Sequence, residues 1–185
     1  MAWDTDETRR KLLLAATTHF TAAGLAGARV DAIAKDAGVN KERIYQYFGD
    51  KAGLFGAVLE AEVDGLMDGV EITGQQADAL GDLAGRLYDR TSVRPHIARL
   101  LAWESLELDQ PVSALQRARG CAELVAALSN ALPERSDEYA AQTLLSVVAL
   151  AVMDGCLPHL ATLIVPGSTR QSRRAAIVAQ ARSLT

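Results

Sequence analysis

The feature that most limits how this chain can fold is Gly38, set between two short apolar clusters. Before it, Val30, Ile33, Ala34 and Ala37 recur at helical spacing. After it, Ile44 and Phe48 share one face of a segment that starts at Lys41. Neither helix is long enough to hold itself together in water, so each must bury its apolar face against the other and a third element. Ala34 and Ala37 offer the small side chains that a close crossing needs. Gly38 supplies the positive φ of a sharp corner, and Val39 can plug it. Asn40 is a good N-cap for the helix from Lys41 to Phe48. With Ile44 and Phe48 turned inward, Lys41, Arg43, Gln46 and Tyr47 fall on the outer face, and Tyr45 at its edge.

The rest of the chain supplies helices on both sides of this corner. Asp4 or Thr5 can cap a first helix, whose apolar face is Leu12, Leu13, Ala16 and Phe20. Gly24 is placed to end it. Asp50 can cap a fourth helix from Lys51 towards Met67, with Leu54, Phe55, Val58 and Leu59 apolar. Gly65, Gly69 and Gly74 loosen the chain that follows. Helical patterns then span residues 75–91, 95–108, 111–131, 137–163 and 168–183, with breaks at Pro95, Pro111, Pro133 and Pro166-Gly167. No strand-like alternation of useful length appears. The expected fold is all-α: an amino-terminal three-helix helix-turn-helix domain (1–50) joined to a larger helical domain (51–185), with 51–67 as connector.

Composition narrows the function classes. The net charge is −4 over 185 residues. Residues 1–55 carry eight Lys/Arg against seven Asp/Glu, and the remainder eleven against sixteen. A mildly basic head on an acidic body permits nucleic-acid binding if its bases share a face. Cys121 and Cys156 form no paired framework, which fits a reducing cytoplasm. No signal peptide is expected, because Trp3 to Lys11 is charged and no apolar region follows. The apolar stretch from Tyr139 to Val165 is interrupted by Asp154, Gly155, Pro158 and His159, so a buried or interfacial helix is expected there rather than a membrane span. No metal-binding His spacing, Gly-rich phosphate loop or nucleophile elbow is present, and neither an enzyme nor a cofactor is expected.

The stretch Ile33-Ala34-Lys35-Asp36-Ala37-Gly38-Val39-Asn40-Lys41, followed by Ile44-Tyr45-Gln46-Tyr47-Phe48, resembles the signature of the tetracycline-repressor (TetR) family. Leu12-Leu13 with Ala15-Ala16, then Phe20 and Gly24, match that family's first helix, and Lys51 with Leu54-Phe55 the start of its fourth. The resemblance covers roughly residues 8–60. It implies that the third helix lies in the major groove of double-stranded DNA. Lys41, Arg43 and Gln46 then become the expected base readers, since Arg or Lys suits guanine and Gln suits adenine. Tyr45, Tyr47 and Lys51 are expected on phosphates, which position without specifying sequence. Three residues depart from the pattern. Arg29 stands where a capping Thr or Ser is usual, and can reach phosphate but cannot cap. Glu42 is acidic within the reading helix, able to accept from cytosine N4 or to repel unwanted sites. His19 replaces an aliphatic residue under the first helix.

The same resemblance implies that the larger domain forms a homodimer and binds a small-molecule inducer. Tyr139–Val165 and Ser168–Leu184 take the places of the family's two interface helices, with Leu144, Leu145, Val148, Val152 and Ile177 in the interface or core. His96, Leu100 and Trp103 share one face of a helix, and Met67, Tyr88, Met153, Cys156 and His159 are candidates for the same cavity. Asp154 is costly in an apolar stretch unless it is exposed, pairs with an arginine such as Arg99, or meets a ligand. The expected function is a repressor released from a two-fold operator by its inducer. The rival is a helical small-molecule binding or interaction protein whose helix-turn-helix no longer reads DNA.

Overall fold

The computed structural model describes the backbone of residues 2–67 and 69–185, and the side chains of residues 5–67 and 69–185. The capping role read for Asp4 lies outside the described residues. The described chain is all-helical: α1 (Ala2–Gly27), α2 (Val30–Ala37), α3 (Glu42–Phe48), α4 (Lys51–Met67), α5 (Gln76–Val93), α6 (Pro95–Glu107), α7 (Ala114–Ala131), α8 (Asp137–Cys156), α9 (Pro158–Ile164) and α10 (Arg170–Arg182). Thr5 lies inside α1 rather than capping it. Gly24 kinks α1 at φ 68 and ψ −174, a region essentially reserved for glycine.

Two compact units emerge. The first holds the chain up to Gly65 together with Arg99–Ser113, and the second holds Leu66–Ala98 and Ala114–Thr185. The division falls at the start of the segment carrying Gly65, Gly69 and Gly74. Most of α4, the expected connector, belongs to the first unit, and a second excursion, Arg99–Ser113, returns to it.

The first unit is built on Leu12, Phe20, Ile33, Ile44, Leu54 and Phe55, all fully buried. Burying each such side chain contributes about 1.5–3 kcal/mol before entropy is counted. Phe20 and Phe55 meet edge to face with ring centroids 5.1 Å apart. The carboxy-terminal half of α6 is pinned into this unit. Leu100 is fully buried in its core, the Trp103 indole N–H donates to the Thr21 carbonyl (3.3 Å), and the Ala26 N–H donates to Glu107 (3.0 Å). This approach is close enough that a Cβ on Gly24 would stand 2.8 Å from the Trp103 ring.

In the second unit α5 is the spine. Leu80, Leu83, Ala84 and Leu87 pack against α7, α8 and α10, with Leu128, Ala140, Val147 and Ile177 opposite. Arg182 and Arg174 of α10 lie so close over Gly81 and Gly85 of α5 that an added Cβ would stand 2.8 Å from either guanidinium. The pattern at 137–163 reads as one helix, but the structure divides it. Leu157 leaves helical geometry (φ −127, ψ 60), and Pro158 opens α9 because it has no N–H to continue the ladder. By length and composition α8 is the one described helix sufficient to cross a bilayer, with mean hydropathy 1.4. Ala140, Thr143, Leu144, Val147 and Ala151 nonetheless pack inward.

Candidate nucleic-acid interface

The corner is built as its residues require. Gly38 sits at φ 66 and ψ 32, and the chain turns back through Gly38 N–H to the Lys35 carbonyl (3.1 Å) and Val39 N–H to the Ala34 carbonyl (3.0 Å). Ala34 and Ala37 are buried at the crossing, and Ile44 anchors α3 from the other side. Asn40 caps from one position earlier than a strict N-cap: its Oδ1 accepts the Glu42 N–H at 3.4 Å, while Lys41 occupies the cap position itself. Arg29 fills the α2 N-cap without a side-chain hydrogen bond. Asp50 caps α4 through Gly53 N–H (2.7 Å). A Cβ at Gly53 would overlap the Phe48 carbonyl oxygen, so the turn from α3 to α4 needs glycine there for lack of space. Sequence reasoning missed this residue, because a glycine inside a helical pattern normally signals only lost stability.

Arg29, Lys41, Glu42, Arg43, Tyr45 and Gln46 are exposed, and Tyr47 and Lys51 are half-buried. All eight lie in the first unit. Their local partners show what each can offer. The Lys41 ammonium pairs with Asp31 of α2 (3.2 Å), and that hydrogen bond, then the carboxylate charge, raises its pKa. Arg43 donates from Nη1 to Gln46 Oε1 (3.1 Å), one helical turn on. Two of the three expected base readers therefore present themselves as a joined pair, with the Gln46 amide nitrogen left as donor. Tyr47 packs against the first core and meets Phe48 edge to face, and the Arg9 guanidinium lies 5.6 Å from the Phe48 ring centre. Arg9 is a second exposed cation beside α3 that sequence spacing alone does not bring there.

Lys51 has a structural task. Its ammonium donates to the Ala26 and Ala28 carbonyls, each at 3.2 Å, closing the end of α1. A cation at a helix start opposes the dipole, and these two carbonyls supply the compensation. His19, the odd residue under α1, bonds Asp36 of α2 through Nε2 (2.7 Å), so it ties the two helices instead of filling an apolar gap.

The profile described as bacterial regulatory proteins, tetR family, matches residues 12–58. A second, described as tetracyclin repressor-like, C-terminal domain, matches residues 79–183, more than half the chain. The chain belongs to the TetR family. Among curated relatives of this TetR-family chain, the HTH-type transcriptional repressor SCO4008 of Streptomyces coelicolor is 38% identical over 106 residues, covering 57% of this chain and 54% of that protein. The HTH-type transcriptional activator FasR of Mycolicibacterium smegmatis is 46% identical over 65 residues, 35% of this chain and 30% of that one. The chain thus matches about half or less of the length of these curated relatives. Over nearly its whole length it superposes on the crystal structure of SCO4942 from Streptomyces coelicolor, with TM-score 0.78, 32% identity, and coverage of 96% and 97% of the two chains.

The residues expected around a ligand fall in both units. Leu100 and Trp103 pack in the core of the TetR-family chain's first unit, and His96 belongs to the second. Met67 packs against the second core, Met153 is 40% exposed, and His159 is exposed. The Cys156 thiol, its pKa raised by burial, donates to the Ala98 carbonyl (3.5 Å). A cavity of about 390 Å³ does open among α5, α8, α9 and α10. Of the residues named from sequence as ligand candidates, Tyr88 alone lines it. Asp154, also in its wall, pairs with Arg173 Nε (3.0 and 3.1 Å) and not with Arg99.

The interface residues divide similarly. Leu144 and Ile177 are buried in the unit's own core and have no surface to give a partner. Val148 and Val152 are half-buried, and Leu145 is 65% exposed. Further exposed apolar side chains, Leu160, Leu163 and Ile164, stand on α9, a helix no sequence pattern separated.

Proposed function

We propose that this protein is a cytoplasmic DNA-binding transcriptional regulator, acting as a homodimer that represses at two-fold sites until a small molecule releases it. The observation that carries the reading is the outer face of α3, where Arg43 and Gln46 stand exposed and joined on a helix fixed by Ile44 and the Gly38 corner. A helix held rigidly on one side and polar on the other suits insertion in a major groove. Arg43, Gln46 and Lys41 read base edges. Arg29, Tyr45 and Tyr47 hold the backbone, with Glu42 selecting against some sequences. The likeness to relatives named as regulators supports this reading.

Repression and its release are supported by the name of the 38% identical relative, a repressor, and by the cavity in the second unit. Release requires that the ligand bind the DNA-free form more tightly than the DNA-bound form; otherwise nothing shifts. Leu145, Leu160, Leu163 and Ile164 form the dimer face in this reading, with Val148 and Val152 at its border.

The test is fluorescence anisotropy with duplex DNA from the region upstream of the protein's own coding sequence, at two salt concentrations. Selective binding that weakens steeply with salt supports the reading. A folded protein that binds all duplexes alike overturns it, in favour of a helical ligand-binding protein that has lost DNA recognition.

A further inference from the structure

The cavity among α5, α8, α9 and α10 holds two groups that the protein itself leaves unused. Tyr88 is 94% buried, being 6% exposed, yet among the described residues its hydroxyl has no hydrogen-bond partner. The residue is buried, but its hydroxyl oxygen is not sealed off: it opens to the cavity and is available to a ligand. Arg173, whose side chain is 19% exposed, spends only its Nε–H on Asp154. Among the described residues both its terminal amino groups have no partner. A guanidinium offers its donors in a planar fork that matches a carboxylate.

The surroundings select the sign of the charge. Arg170 lines the same wall but is already paired with Asp89 (3.8 Å), so the uncommitted positive character comes from Arg173 and from the amino-terminal end of α10, which Thr169 and Arg170 place at the cavity. The one carboxylate, Asp154, already faces Arg173 with both oxygens. Burial first, and the Asp154 charge second, push the Tyr88 hydroxyl pKa up, so it remains a donor. Pro95, Ala151, Pro158, Ala161 and Val165 make the apolar part of the lining, and Thr91, Ser92, Thr162 and Ser168 complete it. A volume of about 390 Å³ suits a small organic molecule.

We propose that this cavity binds a small organic carboxylate with an apolar body, held by the free edge of Arg173 and the Tyr88 hydroxyl. Asp154 acts as a positioning residue that fixes the guanidinium through Nε. The proposal rests on the ligand-responsive reading above and gives the ligand its chemical class.

The experiment is calorimetric titration of the full chain, without DNA, with phenylacetate, phenylacetamide and phenethylamine, which share a body and differ in charge. Phenylacetate should bind in the millimolar range or better, and about tenfold more tightly than the amide, since a charge-assisted bond is the stronger one. Tyr88→Phe removes only a hydroxyl that has no protein partner. It should weaken phenylacetate binding several-fold while leaving the melting temperature of the free protein unchanged. Arg173→Lys keeps a cation beside Asp154 but loses the fork, and should weaken binding further. Equal binding of the amide or amine, no heat from phenylacetate, or an unchanged affinity in Tyr88→Phe each overturns the proposal. Selective DNA binding by the same preparation shows separately whether the regulator reading stands, so the two failures are distinguishable.

Discussion

At the residue scale, Arg43 and Lys51 show how differently two cations in the same unit are used. Arg43 is exposed and joined to Gln46, whereas Lys51 is half-buried against two carbonyls. Arg43→Ala should reduce discrimination at one base-pair position of each half-site by about 1–3 kcal/mol and leave the fold intact. Competition binding with single-base variants of the preferred site measures this; unchanged selectivity would remove Arg43 from the readers. Lys51→Met should lower the stability of the first unit by about 1–3 kcal/mol, because the carbonyls of Ala26 and Ala28 lose charged donors. Urea unfolding checks it, and an unchanged midpoint would return Lys51 to the phosphate contact expected from the sequence. The exposed candidates on α3 were legible because helical spacing against Ile44 fixes which side faces out. The task of Lys51 was not, because its acceptors lie 25 and 23 residues earlier in the chain. The ion pair of Asp154 was legible as a need, but not its partner: Arg173 lies on a different helix, and spacing does not say which helices meet.

At the scale of elements, the α1–α4 frame was readable from glycine positions and apolar periodicity, and α2 matches its expected bounds. The division of α8 from α9 was overlooked even though Pro158 is in plain view. The apolar pattern runs through it, and a proline can sit at the start of a new helix as well as break an old one. The docking of Trp103 was not readable, since α6 shows the spacing of one continuous apolar face while its carboxy-terminal half packs on α1. Gly24 and Gly38 separate strain from crowding. Both have positive φ, but only at Gly24 would a Cβ collide, with Trp103 and Glu107. Gly38→Ala should cost about 1–2 kcal/mol from backbone strain alone. Gly24→Ala should cost about 2–4 kcal/mol because crowding adds to it. Chemical denaturation of both variants makes the comparison, and equal costs would mean that α6 is not held against Gly24.

At the scale of the whole molecule, α8 and α9 carry several of the exposed large apolar side chains, with Leu14, Val93, Leu106 and Leu115 exposed elsewhere. Leu163 is 79% and Ile164 68% exposed, and Leu145 and Leu160 are exposed on the same two helices; apolar side chains left in water in this number are what a partner covers. Leu163→Asp with Ile164→Asp should shift the protein from dimer to monomer in sedimentation equilibrium without unfolding it. A dimer unaffected by both changes would place the interface elsewhere. Dimerisation matters to recognition because a two-fold protein calls for a two-fold site. The first 55 residues carry too little net positive charge for one head to bind tightly by electrostatics alone. Selection from a random duplex library by the intact protein tests this account most directly. It should enrich an inverted repeat whose half-sites change when Arg43 and Gln46 are replaced. A folded dimer that enriches no sequence, or enriches the same one after both replacements, would contradict it.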